Sequence, residues 1–241
     1  MKTALLSDVH ANLEALQAVL RVARERGVDR MLCLGDVVGY GGSPNECLDL
    51  IRERCPLVLL GNHDSAASGG GELARFNPNA KAAALWTAKV LTPEHRDYLR
   101  GLPLTRHLDS YNYVHASPAA PRDWEYIFDR FDAEPQFQFF KEPVCFIGHT
   151  HQPAIFERTA SGTVSLPPTA HRFDPANRYI VNVGSVGQPR DRDPRACFVI
   201  LSEPEGSIEY VRVPYDIEAS QEKIRAANLP PVLAARLSAG E

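Results

Sequence analysis

Nine residues of this 241-residue chain combine types and spacing that could do chemistry: Asp8 and His10, Asp36, Asn62 with His63 and Asp64, His115, and His149 with His151. Leaving out His63 and Asp64, the set offers two aspartates, one asparagine and four histidines. These are hard oxygen and borderline nitrogen donors with no thiolate among them. Such a mix suits Mn²⁺, Fe, Co²⁺, Ni²⁺ or Zn²⁺ and argues against a cysteine-type structural zinc site. Seven donors are too many for one tetrahedral ion, whereas two ions sharing a carboxylate fit the number. Asp8 and His10 are two apart on a segment read as extended, so both can face one side, and His149 and His151 share that spacing.

Each residue also has an ordinary structural role open to it. A lone histidine on a strand is more often a satisfied structural group than a ligand. Gly35-Asp36 and Asn62-His63-Asp64 could be simple turns or caps. Against these roles stands the placement, because five separate segments end in such residues at one edge of the predicted sheet. In open α/β sheets the crevice beyond the carboxyl ends of the strands is where ligands bind.

The elements that must position these groups follow from periodicity. Thr3–Ser7 reads as a buried strand, and Leu13, Leu16, Leu20 and Ala23 recur at helical spacing until Gly27 closes the helix. Met31–Gly35 and Leu57–Leu60 read as further strands. Ser43-Pro44-Asn45-Glu46 reads as a capping box opening the helix between them. Strands alternating with helices predict βαβ units and a mostly parallel sheet. Ser68–Gly71 reads as a flexible hinge into a helical insertion at about residues 66–110, with one helix over 79–91 and a second from Thr92. Further strands are predicted at 111–115, 144–148, 154–158, 178–183, 197–201 and 208–213, the last three as an antiparallel portion, before a terminal helix from about Glu218. The expected fold is α/β, two packed mixed β-sheets flanked by helices, in one domain over residues 1–241.

Asp8-Val9-His10, Gly35-Asp36, Gly61-Asn62-His63-Asp64, Val114-His115 and Gly148-His149-Thr150-His151 resemble, in order and in spacing, the motifs of the calcineurin-like metallophosphoesterase superfamily. The stretch Asn182–Arg190 is similar to a further loop of its small prokaryotic branch. The resemblance implies that Asp8, His10 and His151 bind a first ion and Asn62, His115 and His149 a second, with Asp36 bridging them. It implies two divalent metal ions, Mn²⁺ first among them, and a metal-bridging hydroxide as nucleophile. His63 is similar in position to the family's general acid, with Asp64 orienting its ring.

One departure bears on the reaction. The protein-phosphatase branch carries Asp-Arg-Gly after its second motif, where this chain has Gly39-Tyr40-Gly41. The expected activity is therefore a phosphodiesterase, with a phosphomonoesterase or dinucleoside polyphosphate hydrolase as the alternative within the class. A metal-binding scaffold for protein interaction is the alternative outside it, since fold alone does not determine function. Arg190 could supply the missing cation, although a surface arginine is more often solvated. Phe76, Asn77 and Trp86 are candidates for base stacking or gating, although aromatics at helical spacing usually serve the core.

Composition narrows the partners. The net charge of −4 comes from 26 basic and 30 acidic residues with no long run of either sign, so extended nucleic acid is not expected and a small phosphate ester or nucleotide is. Cys33, Cys145 and Cys197 sit in apolar runs, as buried free thiols do. No signal peptide is read at the N-terminus and no apolar run reaches the roughly 18 residues that span a bilayer, so a cytoplasmic protein without membrane partners is expected.

Overall fold

The computed structural model describes residues 1–71 and 73–241. Its first half is built from β1 (Lys2–Leu6), α1 (Leu13–Glu25), β2 (Arg30–Cys33), α2 (Pro44–Arg54), β3 (Leu57–Val58) and α3 (Asn62–Ser68). A 3₁₀ turn at Leu73–Arg75, α4 (Pro78–Val90), α5 (Pro93–Arg100), β4 (Thr105–Leu108) and β5 (Tyr111–Val114) follow. The second half holds α6 (Arg130–Ala133), β6 (Val144–Ile147), β7 (Ala154–Thr159), β8 (Gly162–Leu166), β9 (His171–Arg172), β10 (Arg178–Asn182), β11 (Ala196–Ser202) and β12 (Ser207–Val213). It closes with α7 (Ile217–Ala226) and α8 (Pro231–Ala239).

Two mixed six-stranded sheets result, with orders β3-β2-β1-β11-β12-β9 and β4-β5-β6-β10-β7-β8. In the first, β1, β2 and β3 run parallel and β11 joins β1 antiparallel. In the second, β5, β6 and β10 are parallel, and β10 also pairs β7 antiparallel. The strands read as continuous apolar runs because both faces of each sheet are covered. Leu5, Leu32, Val199 and Leu201 point between the sheets, where they meet Tyr113, Phe146, Tyr179 and Val181 of the second sheet. Ala4, Leu6, Cys33 and Phe198 point the other way, onto α1 and α2. The second sheet's outer face is sealed by Ile127, Phe137 and Phe140.

Local signals hold for several elements. Asn12 caps α1 by accepting from Ala15 N at 3.1 Å, and Thr92 caps α5 by accepting from His95 N at 3.1 Å. All five cysteines are free and buried. Among the described residues, no helix is long and apolar enough to cross a membrane.

Other expectations change. Ser43 starts α2 without a side-chain cap, so no capping box forms there, although Pro44 does occupy the start of the helix. Of the last three predicted strands only β11 and β12 form an antiparallel pair, while β10 lies in the other sheet between β6 and β7. The short spacing between β10 and β11 reflects a chain crossing from one sheet to the other, not a hairpin. At the expected hinge, Gly69 ends α3 in the left-handed conformation with φ 94°. The region 66–110 contains the two expected helices and also β4, whose weakly apolar Thr105-Arg106-His107-Leu108 pairs with β5 at the sheet edge.

Candidate metal centre

The loops after β1, β2, β3, β5 and β6 converge at one edge of the sandwich and bury Asp8, His10, Asp36, Asn62, His63, Asp64, His115, His149 and His151. The route differs from the extended segments expected. Asp8, His10, Asp36, His149 and His151 all sit in the left-handed region, with φ of 54°, 49°, 52°, 67° and 61°. Side chains two apart in sequence therefore meet because the chain coils back, not because it is extended. Such residues carry a strain of about 1–3 kcal/mol each, and conformations of this kind collect at functional sites. Backbone bonds hold the coil: Asp8 N donates to Gly35 O at 3.0 Å and His10 N to Asp36 O at 3.0 Å. The glycines of the motifs make room. A Cβ on Gly61 would overlap Asp36 Oδ1, and one on Gly148 would overlap Ser7 Oγ.

Each carboxylate spends one oxygen on the backbone and presents the other. Asp8 Oδ2 accepts from His149 N at 3.0 Å and Asp36 Oδ1 from His63 N at 2.8 Å. Asp8 Oδ1 and Asp36 Oδ2 face the imidazoles: His151 Nε2 is 3.3 Å from the former and His115 Nε2 3.4 Å from the latter. The histidines are turned by carbonyls. His10 Nδ1 lies 3.1 Å from Val38 O, His115 Nδ1 2.9 Å from Leu34 O and His151 Nδ1 2.6 Å from Gln188 O. A carbonyl only accepts, so each Nδ1 carries a proton, and in the neutral ring each Nε2 offers a lone pair inward. His149 is reversed: its Nε2 donates to Trp124 O at 2.9 Å, leaving Nδ1 for the centre.

These donors fit cations. His10 Nε2 and His151 Nε2 stand 3.0 Å apart, lone pair to lone pair. Two nitrogens about 2.0–2.1 Å from one ion, at a right angle, would be about 3.0 Å apart. Asp8 Oδ1, Asn62 Oδ1 and His115 Nε2 are buried and have no hydrogen-bond partner, a costly arrangement unless something charged is meant to meet them. Asp8, His10 and His151 form one group, and Asp36, His115 and His149 another, with ligand atoms of each group within 4.8 Å of one another. Among the described residues a third group joins His10, Asp36 and His63, so His10 and Asp36 each belong to two of the three.

Electrostatics follow from burial and proximity. Burial pushes both carboxyl groups up, yet His151 beside Asp8, and His115 and His63 beside Asp36, outweigh it and hold both well below the usual range. Burial lowers His63 to about 4 and His149 to about 3, and with its neighbours also lowers His10 and His151. His115 is the exception: burial acts against its charge, but Asp36 and Asp8 raise it to about 9.

Asp64 is placed differently from expectation. Its Oδ1 accepts from Val38 N at 3.0 Å and its Oδ2 from Gly61 N at 3.2 Å, so it ties the start of α3 to the loop after β2. His63 Nδ1 has no hydrogen-bond partner, and the Asp64 carboxylate does not orient that ring. Both its oxygens are already engaged by main-chain donors. Arg190 is half-buried instead of freely solvated, with Nη2 3.0 Å from Gln188 Oε1 and 3.4 Å from Tyr40 Oη. The loop containing Ser185 is structural: Ser185 Oγ donates to Asp8 O at 2.8 Å, and Asn182 Nδ2 to Gly148 O at 2.6 Å. Phe76 and Asn77 do reach the cleft, whereas Trp86 packs with the core beneath α4, α7 and α8. Sequence reasoning missed Tyr40, Trp124 and Tyr126 on the cleft wall. Three aromatics at alternate positions, Trp124, Tyr126 and Phe128, in a stretch bounded by Pro121 and Asp129 were the available signal.

A family model of the calcineurin-like phosphoesterase superfamily domain matches residues 1–205. The chain belongs to that superfamily. It is 40% identical to an uncharacterized protein of Methanocaldococcus jannaschii, across 98% of this chain and 97% of that one. A symmetrical bis(5'-nucleosyl)-tetraphosphatase of Actinobacillus succinogenes matches at 29% identity over 52% of this chain and 46% of its own length. Among solved structures, a metallophosphoesterase from Sphaerobacter thermophilus superposes with a TM-score of 0.89 at 40% identity, covering 100% of this chain and 99% of that one. A protein from Pyrococcus horikoshii shares the fold with a TM-score of 0.80 at 21% identity, covering 100% and 98%.

Proposed function

We propose that this calcineurin-like protein hydrolyses phosphate esters, phosphodiesters ahead of monoesters, at a centre of two divalent ions with Mn²⁺ the leading candidate. Asp8, His10 and His151 hold one ion, Asn62, His115 and His149 the other, and Asp36 stands between them. The observation that carries this reading is the convergence of seven donors whose inward atoms are aimed at one another or left without a partner, while the other polar atoms of the two aspartates and four histidines are anchored to main chain. A scaffold would not need such atoms kept free. When bound, two ions of this kind neutralise the phosphoryl oxygens and activate water near neutral pH.

Hydrolysis joins a water oxygen to phosphorus and breaks the bond to the leaving oxygen, which must take up a proton. His63 lines the cleft beside Asn62 and His149 and is the group suited to give that proton. At about 4 it is neutral in the free protein at pH 7; an anionic ester in the cleft raises it toward the protonated form. The preference for diesters rests on cation supply. A monoester carries more charge on its terminal oxygens, and in place of the phosphatase arginine this chain has the buried Tyr40 with Arg190 behind it. The partial match to a dinucleoside tetraphosphatase favours dinucleoside polyphosphates as the second class to screen.

The deciding experiment is hydrolysis of bis-p-nitrophenyl phosphate by metal-stripped protein with and without Mn²⁺, with Asp36→Ala as control. Mn²⁺-dependent turnover that disappears in the variant is expected. Absence of turnover with every divalent metal tried, or turnover that survives Asp36→Ala, would overturn the reading.

A further inference from the structure

An aromatic ladder leads from the candidate metal centre to the surface. The Tyr126 ring lies parallel to His149, with centroids 4.1 Å apart and planes 18° apart. Phe128 continues the stack on Tyr126 at 5.1 Å and 11°. Tyr126 and Phe128 remain 47% and 54% exposed, so two large rings stand in water beside a polar site. Neither belongs to any of the four hydrophobic cores formed by the described residues. Across the cleft Phe76 leans on His63 at 4.8 Å, and Tyr40, Asn77 and Trp124 complete a space of about 270 Å³.

The segment bearing the ladder is held in place. Trp124 adopts φ 56°, which a bulky residue seldom does, and its carbonyl thereby meets His149 Nε2. Asp123 O accepts from Arg75 Nη1 at 3.2 Å, joining the segment to the opposite wall. Phe128 N donates to Asp132 Oδ2 at 2.9 Å, fastening the outer end to α6. Exposed aromatics fixed this way keep their apolar faces wet at a cost to stability, which a ligand's flat ring would offset.

We infer that the ladder is a nucleobase site and that the substrate is a nucleotide ester whose base stacks on Phe128 at the outer end of the ladder. Phosphate at the centre and a base on the ladder are then joined through the sugar. Every base has a π-face, so such a platform selects nucleotides as a class without choosing among them. The inference rests on the phosphoesterase reading only for the phosphate end; the ladder's preference for a base can be measured without turnover.

The test is calorimetric binding of AMP and of ribose 5-phosphate to the full-length, Mn²⁺-loaded protein. The two share sugar and phosphate and differ only in the base. AMP is expected to bind at least about tenfold tighter, within the range of about 5- to 150-fold for one stacked base. Phe128→Ala should bring the two affinities to within about threefold, and Phe128→Trp should restore the gap, which a merely folded-state role for Phe128 would not do. Equal affinities in the wild-type protein, failure of both ligands to bind, or an unchanged gap in Phe128→Ala would overturn the base site. Phosphotyrosine binding as tightly as AMP would overturn the nucleobase assignment in favour of any aryl ester. None of these outcomes touches metal-dependent turnover of bis-p-nitrophenyl phosphate, which judges the phosphoesterase reading by itself.

Discussion

Asn62→Ala separates a metal ligand from a structural residue by the sign of its effect. In metal-stripped protein Asn62 Oδ1 is buried with no partner. A buried unpaired acceptor of this kind costs about 1–3 kcal/mol. Alanine removes that cost and forfeits a comparable amount of packing, and it is well suited to the first turn of α3. The stripped variant should therefore unfold within about 1 kcal/mol of the stripped wild type, a Tm difference of no more than about 4 °C in a chain of this size. With Mn²⁺ the two proteins part. An ion present at about a hundred times its Kd stabilises by about 2.7 kcal/mol, so two ions raise Tm by roughly 10–20 °C. Asn62→Ala should lose about half of that rise, because the ion it shares with His115 and His149 no longer binds. Differential scanning calorimetry of stripped and Mn²⁺-loaded protein, wild type and variant, gives all four values. A stripped variant more than about 8 °C below the stripped wild type would mark an ordinary structural asparagine. A full metal-induced rise in the variant would remove Asn62 from the centre.

Three further outcomes are expected. His63→Ala should keep the metal-induced rise in Tm while losing about 100-fold or more in turnover of alkyl esters and far less with p-nitrophenol as leaving group; equal losses for both would remove its role as proton donor. Gly61→Ala sets a Cβ against Asp36 Oδ1, so metal content by elemental analysis should fall and turnover should drop on the order of 100-fold, as for a misplaced reacting group; unchanged metal content would show that the carboxylate has room to shift. His115, raised to about 9 by Asp36 and Asp8, contributes stability to the stripped protein that is complete below about pH 6.5 and is lost as pH rises through 9. Stripped wild type should lose Tm over that range more steeply than stripped His115→Gln, and parallel curves would refute the ion pair.

The chemistry of the centre was legible in the sequence because ligand type and chain order are local properties. Aspartates, asparagine and histidines at the ends of apolar runs named the donors, and strand–helix alternation predicted the parallel half of the first sheet. The helix start at Thr92 was readable for the same reason, resting on one side chain and a donor three residues away. What the sequence could not carry were relations between distant segments. Nothing near Asp64 reveals that its Oδ1 is taken by Val38 N, 26 positions away, and its neighbour His63 was the natural partner only while the loop after β2 was out of view.

The same division holds for geometry. Which nitrogen of each histidine faces the centre is decided by carbonyls of Val38, Leu34, Gln188 and Trp124, all four of them more than 20 positions away from the ring they orient. The left-handed turns at Asp8, His10, Asp36, His149 and His151 belong to residues that would not choose that backbone alone; they persist because neighbouring loops bond the coiled segments. The sequence by itself thus determined which chemistry is available, through residue type and order along the chain. Only the tertiary structure decided where that chemistry points and what stacks beside it, because orientation depends on hydrogen bonds and ring contacts between segments that meet solely after the two sheets have packed.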